Sequence, residues 1–191
     1  QGMLDSTVWL LESVGLKALP FTSGRAFLEA CDPASNACVL LDVRMPGMGG
    51  LNVQEELRRR GIELPLIFVS GHADVPIVVR AFRAGAVDFI EKPFDDKALL
   101  DAIQSALTRH ARDAESRARR SEIQARLDLL SVREREVLDG LVAGKPNKII
   151  AFELGISART VEVYRANVMT KMRAESLSEL VRMVLLDGGA A

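Results

Sequence analysis

The chain has little that could build a covalent or metal staple: two cysteines and two histidines in 191 residues. Cys31 and Cys38 stand apart with no flanking Cys or His cluster, which indicates neither a disulfide framework nor a zinc site and leaves two reduced thiols. Aromatic residues make up 5%, with one Trp and one Tyr. No apolar run approaches the roughly 20 residues that span a bilayer, and no basic-then-apolar leader opens the chain, so a cytoplasmic protein without a membrane partner is expected. Net charge is also scarce, at -1. What is present is ordinary for globular proteins: 48% hydrophobic and 27% charged residues, enough for one large or two small domains and unlike collagen or disordered chains. The first residue is Gln1 rather than Met, from which a missing upstream segment is expected.

Three regions differ in pattern. Up to residue 108, short apolar runs alternate with helical stretches. Ala37–Leu41 and Leu64–Val69 are too apolar for half-exposed strands and too short for buried helices, so they read as parallel strands covered on both faces. Ala86–Ile90 follows a helix predicted over Val75–Ala84 with Gly85 as its stop, and Lys17–Thr22 is expected as an edge strand. Leu4–Ser13 reads as a helix closed by Gly15. This alternation predicts an α/β domain with a parallel sheet. Residues 109–128 are rich in Arg and Ala, lack Gly and Pro, and present almost no apolar face, the pattern of a solvated helical linker. From residue 129 to 191 everything is helical in pattern, with capping boxes at Ser131–Glu134 and Ser176–Glu179 and stops at Gly144 and Gly155. The first region carries 10 basic and 14 acidic residues (net -4), the second 6 and 4 (+2), the third 9 and 8 (+1). That asymmetry permits a nucleic-acid partner for the third region without demonstrating one.

A polar residue stands where each of three apolar runs stops: Asp42, Ser70 and Lys92. In an open α/β sheet the carboxyl ends of the strands share one rim, where ligands bind. The residue types suit phosphoryl chemistry, with a carboxylate nucleophile, a hydroxyl for a phosphoryl oxygen and an ammonium for developing charge.

The segments Leu40–Gly50, Val69–His72 and Ala84–Phe94 resemble the receiver domains of two-component response regulators. The resemblance implies a flavodoxin-like (CheY-like) α/β fold, with Asp42 as phospho-acceptor, Ser70 as switch hydroxyl, Lys92 as the pocket lysine and Phe89 as the aromatic that reorients on activation. It also implies a cis peptide before Pro93, and Mg²⁺ held by the Asp42 carboxylate and the Arg44 carbonyl. Arg44 and His72 would flank the pocket and tune the lifetime of the phosphoryl group. Receivers hold their metal with an acidic pair ending a first, central strand; nothing upstream of Met3–Ser6 supplies that strand, and Asp5 and Glu12 fall within the first predicted helix. The receiver is thus expected to lack its first strand.

In the third region, Asn147–Leu154 and Ala158–Met172 are two predicted helices joined by a glycine turn, the pattern of a helix-turn-helix whose second helix enters the major groove. Ser131–Leu138, Gly144–Ala151 and Leu154–Met172 resemble the LuxR-type DNA-binding domain, so the whole chain is similar to the NarL/FixJ class of response regulators, nearest its FixJ-like members. By that resemblance Glu162, Val163 and Ala166 face base edges, while Lys148, Thr160, Arg165, Asn167 and Lys171 hold phosphates. Arg173–Glu175 departs from the expected glycine- or lysine-containing turn.

A mildly charged domain binds one half-site weakly, so a homodimer on a palindromic promoter site is expected, formed on phosphorylation through Pro76–Ile90 with Val79 and Arg83 exposed. The implied function is a transcriptional regulator, read as an activator acting with RNA polymerase, switched by a sensor histidine kinase at Asp42, with no enzymatic role. The alternative is a phosphorylation-independent DNA-binding protein with a degenerate receiver. A phosphohydrolase of the haloacid-dehalogenase type would need a second Asp two residues past the nucleophile, where Arg44 stands.

Overall fold

Residues 2–71 and 74–187 are described by a computed structural model of the full chain. The chain divides into two compact units, Gln1–Arg112 and Asp113–Ala191.

The first unit follows the order α1 (Gly2–Ser13), α2 (Gly24–Ala30), β1 (Val39–Asp42), α3 (Gly50–Arg59), β2 (Leu66–Ser70), α4 (Val75–Arg83), β3 (Asp88–Glu91) and the start of α5 (Asp96–Leu127). The strands form a parallel sheet in the order β1-β2-β3. Leu41 pairs with Phe68 and Phe68 with Phe89, so the three chains run in step. All five residues of β2 are buried, as a strand covered on both faces requires. Alternate residues go to opposite faces: Leu66 and Phe68 pack with Leu28, Val53, Leu57 and Ala81 from α2, α3 and α4. Ile67 faces Leu99, Ile103 and Ala106 of α5, with Leu10 and Leu11 of α1. The expected α/β class with a parallel sheet is therefore observed, with three strands among the described residues.

Two details differ from the sequence reading. The strands begin and end one to two residues later than the apolar runs suggested, because Asp42 and Ser70 still pair in the ladder. Lys17–Thr22 forms no strand; a strand exists only through its ladder, and among the described residues β1 has β2 as its sole neighbour. Phe21 instead meets Phe27 edge-to-face at 5.6 Å. Cys31 and Cys38 are free thiols, and burial pushes Cys38 up to about 12, so neither is a ready nucleophile.

Helix α5 is continuous over 32 residues where the sequence suggested a domain end followed by a linker. Residues 111–122 are exposed throughout, as their lack of an apolar stripe demands. Its last turns belong to the second unit, since Ile123 and Leu127 are buried there.

The second unit continues with α6 (Val132–Val142), α7 (Asn147–Leu154), α8 (Ala158–Met172), α9 (Leu177–Arg182) and a closing π-helical turn, Met183–Asp187. Its core joins Val137, Leu138 and Leu141 of α6, Ile150 and Ala151 of α7, Val161, Val168 and Met172 of α8, and Leu180 of α9. Gly140 lets α6 and α7 approach: a Cβ there would lie 2.8 Å from the Ile150 side chain. Gly155 takes the left-handed conformation (φ 66°) that turns α7 into α8. The capping box at Ser131 is complete. At Ser176 only half forms, because Glu179 accepts from the Glu175 N–H instead.

Candidate functional site

The in-step ladder brings the carboxyl ends of β1, β2 and β3 to one rim. Asp42 ends β1, Ser70 ends β2 and is 1% exposed, and Lys92 follows β3 with its N–H on the Ser70 carbonyl at 2.8 Å. Across 50 residues of sequence the Lys92 Nζ donates to Asp42 Oδ2 at 2.8 Å. The other carboxylate oxygen, Oδ1, accepts the Arg44 N–H at 2.9 Å. The Lys92–Pro93 peptide is cis. Asp42, Ser70 and Lys92 thus meet at one rim, with a half-exposed carboxylate next to a fixed ammonium.

Phe89, in the middle of β3, is half-buried and stacked on Phe68 with centroids 6.1 Å apart. His72 lies outside the described residues. Gly50, at the start of α3, touches the pocket from below: a Cβ there would sit 2.4 Å from the Asp42 carbonyl oxygen and 2.9 Å from Phe68. Sequence reading had Gly50 only as the last residue of the Leu40–Gly50 segment that carries the resemblance, and the packing shows that it is a close approach.

The carboxylate can act as a nucleophile and the ammonium can neutralise charge on an incoming anion. Of the two oxygen donors that the resemblance implies for Mg²⁺, the Asp42 carboxylate and the Arg44 carbonyl, the carboxylate stands half-exposed at this rim. Among the described residues no group of three His, Cys, Asp or Glu side chains could hold a metal. A magnesium ion accepts one or two carboxylates and fills its shell with phosphate oxygens and water, so this donor set suits it in kind.

The second unit offers one helix face. Ser157 caps α8, its Oγ accepting the Thr160 N–H at 3.1 Å, while Val161, Val168 and Met172 anchor the opposite stripe in the core. Glu162, Val163, Ala166 and Asn167 are exposed; Thr160 and Arg165 are half-buried; Lys148 is exposed on α7. Val163 is 55% exposed, an apolar side chain that the fold leaves outward, suited to contact a thymine methyl. Arg159, exposed in the first turn of α8, shares that face with Glu162 and Val163 at helical spacing, and sequence reading missed it.

Lys171 differs from the others. Its ammonium is engaged inside the domain, 2.6 Å from Glu134 Oε2 and 3.1 Å from the Leu129 carbonyl. Glu134 is the buried partner, with a side chain 5% exposed; its carboxylate also accepts the Ser131 N–H at 2.8 Å. The Lys171 ammonium, aided by Ser131, holds that carboxyl below its ordinary range. The capping box explained Glu134 fully at the level of sequence and so hid its second partner. At the far end, Arg173 closes α8 in the left-handed conformation (φ 53°), and Arg126 donates to the Met172 carbonyl at 3.1 Å.

Residues 1–104 match the family described as response regulator receiver domain, and residues 128–184 match that described as bacterial regulatory proteins, luxR family. The chain is 53% identical over 186 residues to the transcriptional regulatory protein FixJ of Azorhizobium caulinodans, covering 97% of this chain and 88% of that one. It is 47% identical to FixJ of Rhizobium meliloti, covering 96% and 90%. Among solved structures, it is similar to the response regulator StyR, with a TM-score of 0.87 at 38% identity over 96% of this chain and 93% of that one. It is likewise similar to full-length FixJ from B. japonicum, with a TM-score of 0.60 at 47% identity over 100% and 94%.

Proposed function

The chain belongs to the two-component response regulators that join a receiver to a LuxR-family DNA-binding domain, as a FixJ-like transcriptional regulator, and from that premise we propose that phosphorylation of Asp42 switches its DNA binding. The observation that carries the proposal is the Lys92 ammonium 2.8 Å from Asp42 Oδ2, with the other oxygen on the Arg44 N–H.

A carboxylate oxygen of Asp42 attacks the phosphorus of a sensor kinase's phosphohistidine; the new O–P bond forms as the P–N bond breaks and the imidazole leaves. Lys92 neutralises charge that moves onto the phosphoryl oxygens, and the Ser70 hydroxyl donates to one of them. The Asp42 carboxylate and the Arg44 carbonyl would hold Mg²⁺, which would supply further neutralisation of those oxygens. Ser70 moves toward the new anion, and Phe89 leaves its stack on Phe68. The face formed by α4 and β3, where Val79 and Arg83 are exposed, then pairs with a second copy.

The dimer presents two α8 helices to a palindromic promoter site. Glu162 accepts from a cytosine amino group and Val163 and Ala166 contact neighbouring bases, while Lys148, Arg159, Thr160, Arg165 and Asn167 hold the backbone. Lys171 is left out, since its ammonium already serves Glu134 and Leu129. The regulator acts in the cytoplasm, as an activator that brings RNA polymerase to the promoter. Intact mass after incubation with Mg²⁺ and acetyl phosphate, on this chain and in parallel on a version extended upstream, tests the switch: the extended version should gain one phosphoryl group, and Asp42→Asn in it should gain none. If neither version gains one, the receiver is degenerate and the DNA-binding domain works independently of phosphorylation.

A further inference from the structure

Gln54 sits in the middle of α3 and is 2% exposed, one of three buried polar or charged residues among the described side chains. Its Nε2 donates to the Ala81 carbonyl of α4 at 3.0 Å, across 27 residues. The amide's orientation follows from that partner: a carbonyl can only accept, so the atom facing it must be the nitrogen. Its Oε1 is buried with no hydrogen-bond partner.

The acceptor it reaches matters. The Ala81 carbonyl also takes the Ala86 N–H at 3.0 Å, the bond that closes α4, and Gly85 (φ 96°) then turns the chain toward β3. Ala81 itself is fully buried. The only side-chain hydrogen bond to α4 among the described contacts therefore lands at its exit, four residues ahead of Gly85. Behind Gln54, α3 begins at Gly50, which packs directly on the Asp42 backbone. One rigid helix thus runs from the acceptor residue to the tie with α4.

We infer that Gln54 is a releasable tie that sets the position of the α4 exit, and with it the face bearing Val79 and Arg83. This rests on the phosphorylation-switched reading for what that face does, but not for the tie itself. An ordinary structural bond would satisfy both ends of the amide. Here the donor is used and the acceptor is stranded, so the amide holds α4 while gaining little for the fold as a whole. Gln54 is a positioning residue: it touches neither the phosphoryl pocket nor DNA.

The test uses the full chain with Gln54→Leu, which keeps the volume and removes both the bond and the stranded oxygen, and Gln54→Met as a second apolar replacement should leucine pack badly. Amide exchange at Ala84, Gly85 and Ala86 should accelerate about fivefold, the equivalent of one lost hydrogen bond, with exchange at Leu41, Phe68 and Val69 and the unfolding temperature retained. Unchanged exchange at the α4 exit in both variants overturns the inference, as does acceleration spread over the sheet with a lower unfolding temperature, which marks mere packing. With acetyl phosphate and Mg²⁺, the variants should also alter the donor dependence of dimerisation by a comparable factor. A wild-type chain that dimerises with donor, beside variants with an identical dependence, overturns the positioning role. A wild-type protein that never responds to donor, either as this chain or extended upstream, refutes the switch reading instead, and the exchange data still judge the tie.

Discussion

Removing the Lys171 ammonium should cost the second unit more than neutralising its partner. In Lys171→Met the Glu134 carboxylate keeps one donor, the Ser131 N–H, in a site where its side chain is 5% exposed. A buried pair broken on one side costs about 3–5 kcal/mol when the remaining charge is uncompensated. One surviving charge-assisted bond and the half-exposed position of Lys171 reduce that to about 2–3 kcal/mol. Glu134→Gln leaves a neutral amide that still accepts from either partner, so it should cost about 1 kcal/mol, the scale of a weakened cap. Native-state amide exchange in urea at Val137, Val161 and Val168, all in the core of the second unit, reads that unit alone. The pH dependence carries a sign. Lys171 holds the carboxyl below its ordinary range, so the contribution is complete above the unfolded carboxyl pKa and is lost as pH falls through the lower folded one. Lys171→Met should therefore abolish part of the acid sensitivity. Equal, small losses in both variants, below about 0.5 kcal/mol and flat with pH, would refute the reasoning by showing a solvated carboxylate.

Three further outcomes follow from close contacts and backbone angles. Gly50→Ala forces a Cβ to within 2.4 Å of the Asp42 carbonyl oxygen; it should destabilise the first unit by about 1–3 kcal/mol and slow phosphoryl gain at Asp42, read by amide exchange in urea at the buried Leu41 and Phe68 and by intact mass. Arg173→Gly relieves a left-handed residue (φ 53°) and should stabilise the second unit by about 0.5–1 kcal/mol, seen as a raised urea midpoint. Glu162→Ala should relax selection for cytosine at one half-site position by about 1–3 kcal/mol while raising affinity for unrelated duplexes, measured by binding to half-sites varied base by base.

Much of this was legible because the informative residues sit at element boundaries. Asp42, Ser70 and Lys92 each follow an apolar run, and a parallel sheet in step has only one rim to bring them to. The helix Ala158–Met172 was readable to the residue, since Ser157 marks its start and its buried stripe repeats with helical period. What was illegible is what depends on a second chain segment. Lys17–Thr22 has strand composition and no neighbour to pair with among the described residues. Lys171 looks like any exposed helix cation until α6 places Glu134 beside it. Gln54 reads as a polar surface position of an amphipathic helix, and only the packing of α4 buries it. Periodicity reports which face an element hides, and says nothing of which single polar group is hidden with it.

The mild charge of the second unit bears on how such a switch can work at all. Most non-specific affinity for DNA comes from phosphate neutralisation, and a region of residues 129–191 with 9 basic and 8 acidic residues has little of it to spend. Glu162 on the exposed face of α8 reduces it further, since a carboxylate repels the phosphate backbone; in the proposed complex only a cytosine amino group would offset that. Under the proposed mode of binding, a single copy would be a weak and selective reader, idle over bulk DNA. Joining two copies makes the second half-site contact effectively intramolecular and multiplies affinity by about 10²–10⁴ without any new contact to DNA. If the first unit dimerises as proposed, a shift of about 5 kcal/mol in that equilibrium would move promoter occupancy from nearly empty to nearly full. A more basic recognition domain would bind as a monomer and blunt that response. Replacing Glu162 with a neutral residue should therefore weaken phosphorylation dependence as well as base selection, and unchanged dependence in that variant would place control somewhere other than dimerisation.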